Sequence, residues 1–171
     1  MRESIRSVTP VFNTQRMVQE YSDKMYEPAA AAAARLGSDG AAKAREVSAW
    51  KKQIRQLWSQ VHINDVKIVN PDSVNVLVGD SLTVEARVHL GEISPKFVRV
   101  QVYVGETSDN EIARPVTVDL DESKKGTHGD YIYRGCVQAP ESGAYGFNVR
   151  VIPTHPSLTQ PHELRLITWA L

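Results

Sequence analysis

The chain has 171 residues, 42% of them hydrophobic and 23% charged, an ordinary globular composition with room for one large or two small domains. Its 20 Lys and Arg balance its 20 Asp and Glu, so no global charge points to nucleic acid or a membrane surface, and no stretch reaches the roughly 18 apolar residues that span a bilayer. A single cysteine, Cys136, excludes an intrachain disulfide framework and fits a reducing compartment, which makes the cytoplasm the expected location.

Charge is split along the chain. Residues 1–60 carry 10 Lys and Arg against 6 Asp and Glu, and residues 61–171 carry 10 against 14. Screening over about 8 to 10 Å at physiological salt leaves this asymmetry little force. Residues 1–60 read as helices. Asn13 or Thr14 can cap the first, whose apolar face is Met17 or Val18, Tyr21 and Met25, and Pro28 stands where it should stop or bend. The six alanines at 29–34 imply a helix in close contact with a neighbour, because alanine combines the best helix propensity with the smallest footprint. After Gly37-Ser38-Asp39-Gly40 comes the clearest helix: Val47, Trp50, Ile54, Leu57 and Val61 follow spacings of three and four, Trp58 widens the stripe, and Lys43, Lys51, Lys52 and Arg55 take the other faces. Both apolar faces need cover in water, so Met17, Tyr21, Met25, Val47, Trp50, Ile54 and Leu57 are the candidate interface residues, packed on the β part, on each other or on a second copy of the chain.

From Val61 the period changes to two. Leu82, Val84, Ala86, Val88 and Leu90 alternate with polar residues, as do Val98, Val100, Val102 and Val104, and both runs read as half-buried strands. Further strands are expected at 62–69, 74–78, 116–120, 131–137, 145–151 and 164–169, separated by Gly79-Asp80, Gly91, Gly105, Lys125-Gly126, Ser142-Gly143 and the proline-rich 153–161 stretch. Seven or eight strands at this spacing predict an antiparallel sandwich of immunoglobulin-like architecture, without the disulfide and core tryptophan of antibody domains. The expected organisation is a helical segment, 1–60, followed by an all-β domain, 61–171.

Catalytic chemistry is not legible. The histidines at 62, 89, 128, 155 and 162 lack ligand spacing; His155, His162 and Glu163 could meet, but a metal site needs three or four convergent ligands. The acidic clusters Asp109-Asn110-Glu111 and Asp119-Leu120-Asp121-Glu122 lack a calcium-loop pattern and read as solvated turns. Cys136 reads as a small buried hydrophobe, and no glycine-rich phosphate loop is present. No catalytic, cofactor-binding or metal-ligating residue is therefore expected. Tyr103, Tyr131, Tyr133 and Trp169 could offer a sugar platform, since sugars stack their apolar faces on exposed rings, although strands also recruit aromatics for packing alone.

Phe12-Asn13-Thr14, Arg16-Met17-Val18 and Glu20-Tyr21, continued by Tyr26 and Pro28, resemble the segment that closes the catalytic part of bacterial short-type α-glucan (glycogen or maltodextrin) phosphorylases. Gly143-Ala144-Tyr145-Gly146-Phe147-Asn148-Val149-Arg150-Val151-Ile152-Pro153, His155-Pro156, Pro161-His162-Glu163-Leu164 and Trp169-Ala170 resemble the end of the same enzymes, in the same order. The resemblance implies a C-terminal, non-catalytic portion whose partner is the rest of the catalytic domain. It also implies a parent in which pyridoxal phosphate assists phosphate attack on α-1,4-glucans to release glucose 1-phosphate. The cofactor lysine, the phosphate site and the sugar pocket of the family lie upstream, so no pyridoxal phosphate is expected here. Met1 falls inside what reads as a helix, which suggests a truncated chain or a broken reading frame. The alternative is a stand-alone sandwich that binds α-glucan or a protein, with the helices as an attachment or self-association device.

Overall fold

Asn13 does cap the first helix: its Oδ1 accepts from the Arg16 backbone N–H at 2.7 Å and opens α1, Thr14–Tyr21. This computed structural model describes residues 6, 8, 12–69, 81–108, 111–126, 128–138 and 144–171, so the strand expected at 74–78 and the Asp109-Asn110 pair lie outside the described residues. The chain forms two compact units, Met1–Ala49 and Trp50–Leu171.

In the first unit the helical path does not stop at Pro28. A π turn, Ser22–Tyr26, in which the Glu27 N–H donates to the Ser22 carbonyl, leads directly into α2, Glu27–Leu57. Pro28 thus occupies the first turn of α2, directly after the π turn. The break comes later, at the expected Gly37-Ser38-Asp39-Gly40 turn. Ser38 is extended, and Asp39, Gly40 and Ala41 take left-handed angles, with φ of 53°, 63° and 62°. The Ser38 hydroxyl donates to the Arg35 carbonyl at 3.0 Å and Arg45 Nη1 to the Gly40 carbonyl at 2.8 Å, satisfying acceptors the break would strand. The alanines at 29–34 are exposed except for half-buried Ala32, so the close neighbour expected for them is not provided within the described chain.

The second unit starts with the last turns of α2 and a 3-10 turn, Trp58–Gln60, followed by β1 (His62–Ile68), β2 (Ser81–His89), β3 (Val98–Ser108), β4 (Glu111–Lys125), β5 (Asp130–Gln138), β6 (Tyr145–Pro153) and β7 (Thr168–Trp169). All pairings are antiparallel, in the order β1-β2-β5-β4-β3-β6-β7. β4 belongs to both halves. Residues 111–120 pair with β3 and residues 121–125 with β5, so one strand passes from one sheet to the other. The first and last strands of the order, β1 and β7, lie close together, and the sheet wraps into a nearly closed sandwich. Strands β1-β2-β5-β4 facing β3-β6-β7 are compatible with an immunoglobulin-like arrangement.

The alternation read from the sequence sets the core. Val84, Ala86 and Val88 of β2, Tyr131, Tyr133 and Val137 of β5, Val98, Val100 and Val102 of β3, and Val149 and Val151 of β6 form one buried cluster. Trp50, Ile54 and Trp58 join it from the helix, and Leu57 packs at its edge. Trp50 meets His155 at 4.7 Å and Phe97 at 5.8 Å between ring centroids, and Lys51 pairs with Glu163. Gly135 of β5 gives β4 room to cross, since a Cβ there would lie 2.6 Å from Leu120 Cδ2.

Several local readings change. The strand expected at 164–169 reduces to Thr168–Trp169, because Leu164 is buried in a turn and Arg165 takes a φ of 56°. The Asp119-Leu120-Asp121-Glu122 cluster is not a turn but the middle of β4. Cys136 is exposed on β5 rather than buried, because the inward sites of that strand belong to Tyr131, Tyr133 and Val137.

Ile54, 3% exposed in the core cluster, tests the helix as part of the sandwich. Ile54→Ala is expected to cost about 2–5 kcal/mol of unfolding free energy through lost burial and a residual cavity. Urea titration followed by far-ultraviolet circular dichroism measures it, and a near-zero change would mean the helix does not belong to that core.

Candidate functional site

The outer faces of the two sheets are chemically different, and register shows why. Across β1, β2 and β5, Lys67 faces Glu85 and Glu85 faces Arg134. Lys67 Nζ lies 3.0 Å from Glu85 Oε1, Arg134 Nε donates to Oε2 at 2.5 Å, and the Glu85 side chain is only 8% exposed. A carboxylate in outward register is thus covered by two cations, whose hydrogen bonds and charges outweigh its desolvation and hold its pKa below the usual 4.5. This face is electrostatically closed.

Across β4, β3, β6 and β7 a second row runs Asp119, Gln101, Arg150, Trp169, and beside it Thr117, Tyr103 and Asn148 form another. Gln101 is buried beneath its neighbours, donating Nε2–H to Asp119 Oδ1 at 2.7 Å and accepting from Arg150 Nε at 3.0 Å. The Arg150 guanidinium lies between two rings, 5.5 Å from the centroid of Tyr103 and 5.6 Å from that of Trp169, and those rings meet edge to face at 5.3 Å. Among the described residues Arg150 has no carboxylate partner; Asp119 is engaged by Gln101 and, at 3.5 Å, by Arg99. Asn148 is tied down on both sides, Nδ2 donating to the Ala170 carbonyl just after β7 at 3.3 Å and Oδ1 accepting from the Val149 backbone N–H at 2.7 Å. The arrangement is a held arginine, two aromatic rings and a fixed amide on one flat face.

Of the four aromatics considered for a sugar platform, the fold brings Tyr103 and Trp169 together and removes Tyr131 and Tyr133 to the core. Burial pushes the Tyr133 hydroxyl pKa up, and that hydroxyl has no hydrogen-bond partner among the described residues. Gln101, Asn148 and Arg150 were not legible as members of a site, because their adjacency follows only from strand register. The candidate interface residues divide: Met17, Tyr21 and Met25 are exposed, whereas Val47, Trp50 and Ile54 are buried and Leu57 half-buried. His155 stacks on Trp50 and Phe97, away from any metal geometry, and no group of three or more potential ligands occurs among the described residues.

A cleft of about 480 Å³ opens beside the register shift between β3 and β4 at Val104–Glu106, lined by Val104, Val116, Val118 and Val137, with Glu106 and Arg114 paired at 2.8 Å. It contains no lysine. Lys24, Lys51 and Lys67 are bound to carboxylates, and Lys96 lies over Phe97. No described helix is long and apolar enough to cross a membrane.

Fold and surface define a β-sandwich module with a helical lead and an arginine-centred aromatic face. A model of the glycogen phosphorylase C-terminal domain matches residues 58–171, and the chain belongs to that family. It is 31% identical to the glycogen phosphorylase of Mycobacterium bovis over 172 residues and 34% identical to the maltodextrin phosphorylase of Thermococcus litoralis over 173. Each match takes in 99% of this chain and 20% of the relative, so the chain spans about a fifth of the length of these proteins.

The Glu85 cluster gives a pH signature. With its folded pKa depressed, Glu85 contributes stability above the ordinary value of 4.5, and that contribution is lost as pH falls through the lower folded value. Glu85→Gln should be less stable than the parent chain at neutral pH and should lose less stability on acidification below 4.5, as measured by melting temperature against pH. Parallel pH profiles for the two proteins would show that the cluster carries no net coupling.

Proposed function

We propose that this chain serves as the non-catalytic C-terminal portion of an α-glucan phosphorylase, an enzyme that cleaves α-1,4-glucans with inorganic phosphate and releases glucose 1-phosphate. What carries the reading is the extent of the similarity: it runs through nearly the whole chain, yet covers only a fifth of the relatives named for glycogen and maltodextrin. Pyridoxal phosphate belongs, in this reading, to the catalytic part, where a lysine and an anion site can coexist. The protein is then cytoplasmic, as expected for an enzyme of glucan metabolism with an exposed, unpaired Cys136.

The catalytic part is also the occupant that suits the face of α1. Met17, Val18, Tyr21 and Met25 are each 44% exposed or more, continuous with Phe12 and Tyr26, and four-fifths of the length of the relatives lies outside the matched region. Apolar surface of this kind favours burial against a partner. A second copy of the chain is the competing occupant, and the helices, rather than the sandwich, would then mediate self-association.

Two measurements test the proposal. Immunoblotting of native extracts should detect the sequence in a band far larger than the 19.0 kDa of this chain, and the purified chain should release no glucose 1-phosphate from glycogen. In the larger protein, Tyr21→Asp with Met25→Asp should lower the melting temperature while leaving the isolated chain unchanged. A sole native species near 19 kDa, or equal effects in both contexts, would overturn it.

A further inference from the structure

We infer that the outer face of β3, β6 and β7 is an α-glucan-binding surface, with Trp169 and Tyr103 as the stacking rings and Arg150, held by Gln101, as the hydrogen-bonding anchor. The inference rests on the glucan-phosphorylase reading for the choice of polysaccharide, and on the geometry for everything else. Trp169 is 38% exposed, whereas Trp50 and Trp58 are 6% and 8% exposed, so the only well-exposed indole of the chain is the one beside Arg150. The rings meet at 85°, so only one can offer its face to a given sugar while the other borders it.

Arg150 spends Nε on Gln101 and leaves its terminal N–H groups without an acidic partner among the described residues. A bridging Gln101, anchored on Asp119, fixes the guanidinium before any ligand arrives, which lowers the ordering cost of binding. Among the described residues Arg99 and Arg150 are offset by Asp119, on a face that also presents two rings and the amide of Asn148. A phosphate or acidic peptide would find one uncommitted cation and a nearby carboxylate that repels it. A neutral polyhydroxyl chain finds stacking surface, donors and acceptors together.

The test is intrinsic tryptophan fluorescence of the purified full chain titrated with maltoheptaose, alongside retention in native gels containing glycogen. Emission should change saturably with a dissociation constant on the order of millimolar, as befits a shallow stacking site. Trp169→Ala should abolish the fluorescence response and the gel retention. Arg150→Ala should weaken retention by about tenfold, equivalent to roughly 1.4 kcal/mol. Trp169→Phe, which keeps an aromatic ring, should restore retention, a rescue that a purely structural role would not produce. Cello-oligosaccharides, with the same hydroxyls on a flatter chain, should bind more weakly. Retention in wild type that survives Trp169→Ala, or no response to maltoheptaose, overturns the inference; equal binding of a polyglutamate peptide overturns it in favour of an acidic partner. Failure of the phosphorylase reading would show separately, as absence of glucose 1-phosphate release by the native larger protein.

Discussion

β4 pairs with β3 along residues 111–120 and with β5 along residues 121–125, and the rest of the second unit depends on that divided pairing. A strand hydrogen-bonded to both halves fixes how they face each other, so Val100 and Val102 meet the valines of β2 rather than solvent. Gly135 makes the crossing sterically feasible, because any side chain there would press on Leu120 and the β4 backbone. Two open sheets would each have left edges to protect. The continuous order draws β1 and β7 together.

The helix enters this arrangement as a core element. Trp50, Ile54 and Trp58 supply buried surface that a short β7 cannot, and the Lys51–Glu163 pair ties the same turns to the segment after β6. Glu163 is held as a carboxylate by Lys51 first and by Thr159, which lowers its pKa against the opposing effect of burial. The buried Trp50 and Trp58 indole nitrogens have no partners among the described residues, so these rings contribute through apolar contact. Polar chemistry is confined to the outer faces. There a carboxylate closed by two cations on one sheet contrasts with an arginine lacking a carboxylate on the other.

That contrast separates stability from recognition within one module. Glu85 is covered by Lys67 and Arg134 together. Arg150 is positioned equally well, through a glutamine and two rings, but keeps donors to spend. The family match places the chain among glycogen phosphorylase C-terminal domains.

The sequence by itself determined the periods, and the periods determined most of the elements. Spacings of three and four from Val47 to Val61 gave the helix stripe, alternation at Leu82–Leu90 and Val98–Val104 gave two central strands, and Asn13 gave a cap, because each signal lies within a few residues of itself. The short cluster motifs at both ends gave the family for the same reason. Only the tertiary structure decided which residues share a face across strands. Gln101 lies 49 residues from Arg150, yet they bond at 3.0 Å, and a slip of one position would have turned Arg150 inward and Tyr131 outward. It also decided that Tyr133 is core while Tyr103 is surface, that Cys136 is exposed, and that Leu164 ends in a buried turn. Those outcomes depend on pairings between distant segments, and no local propensity encodes them.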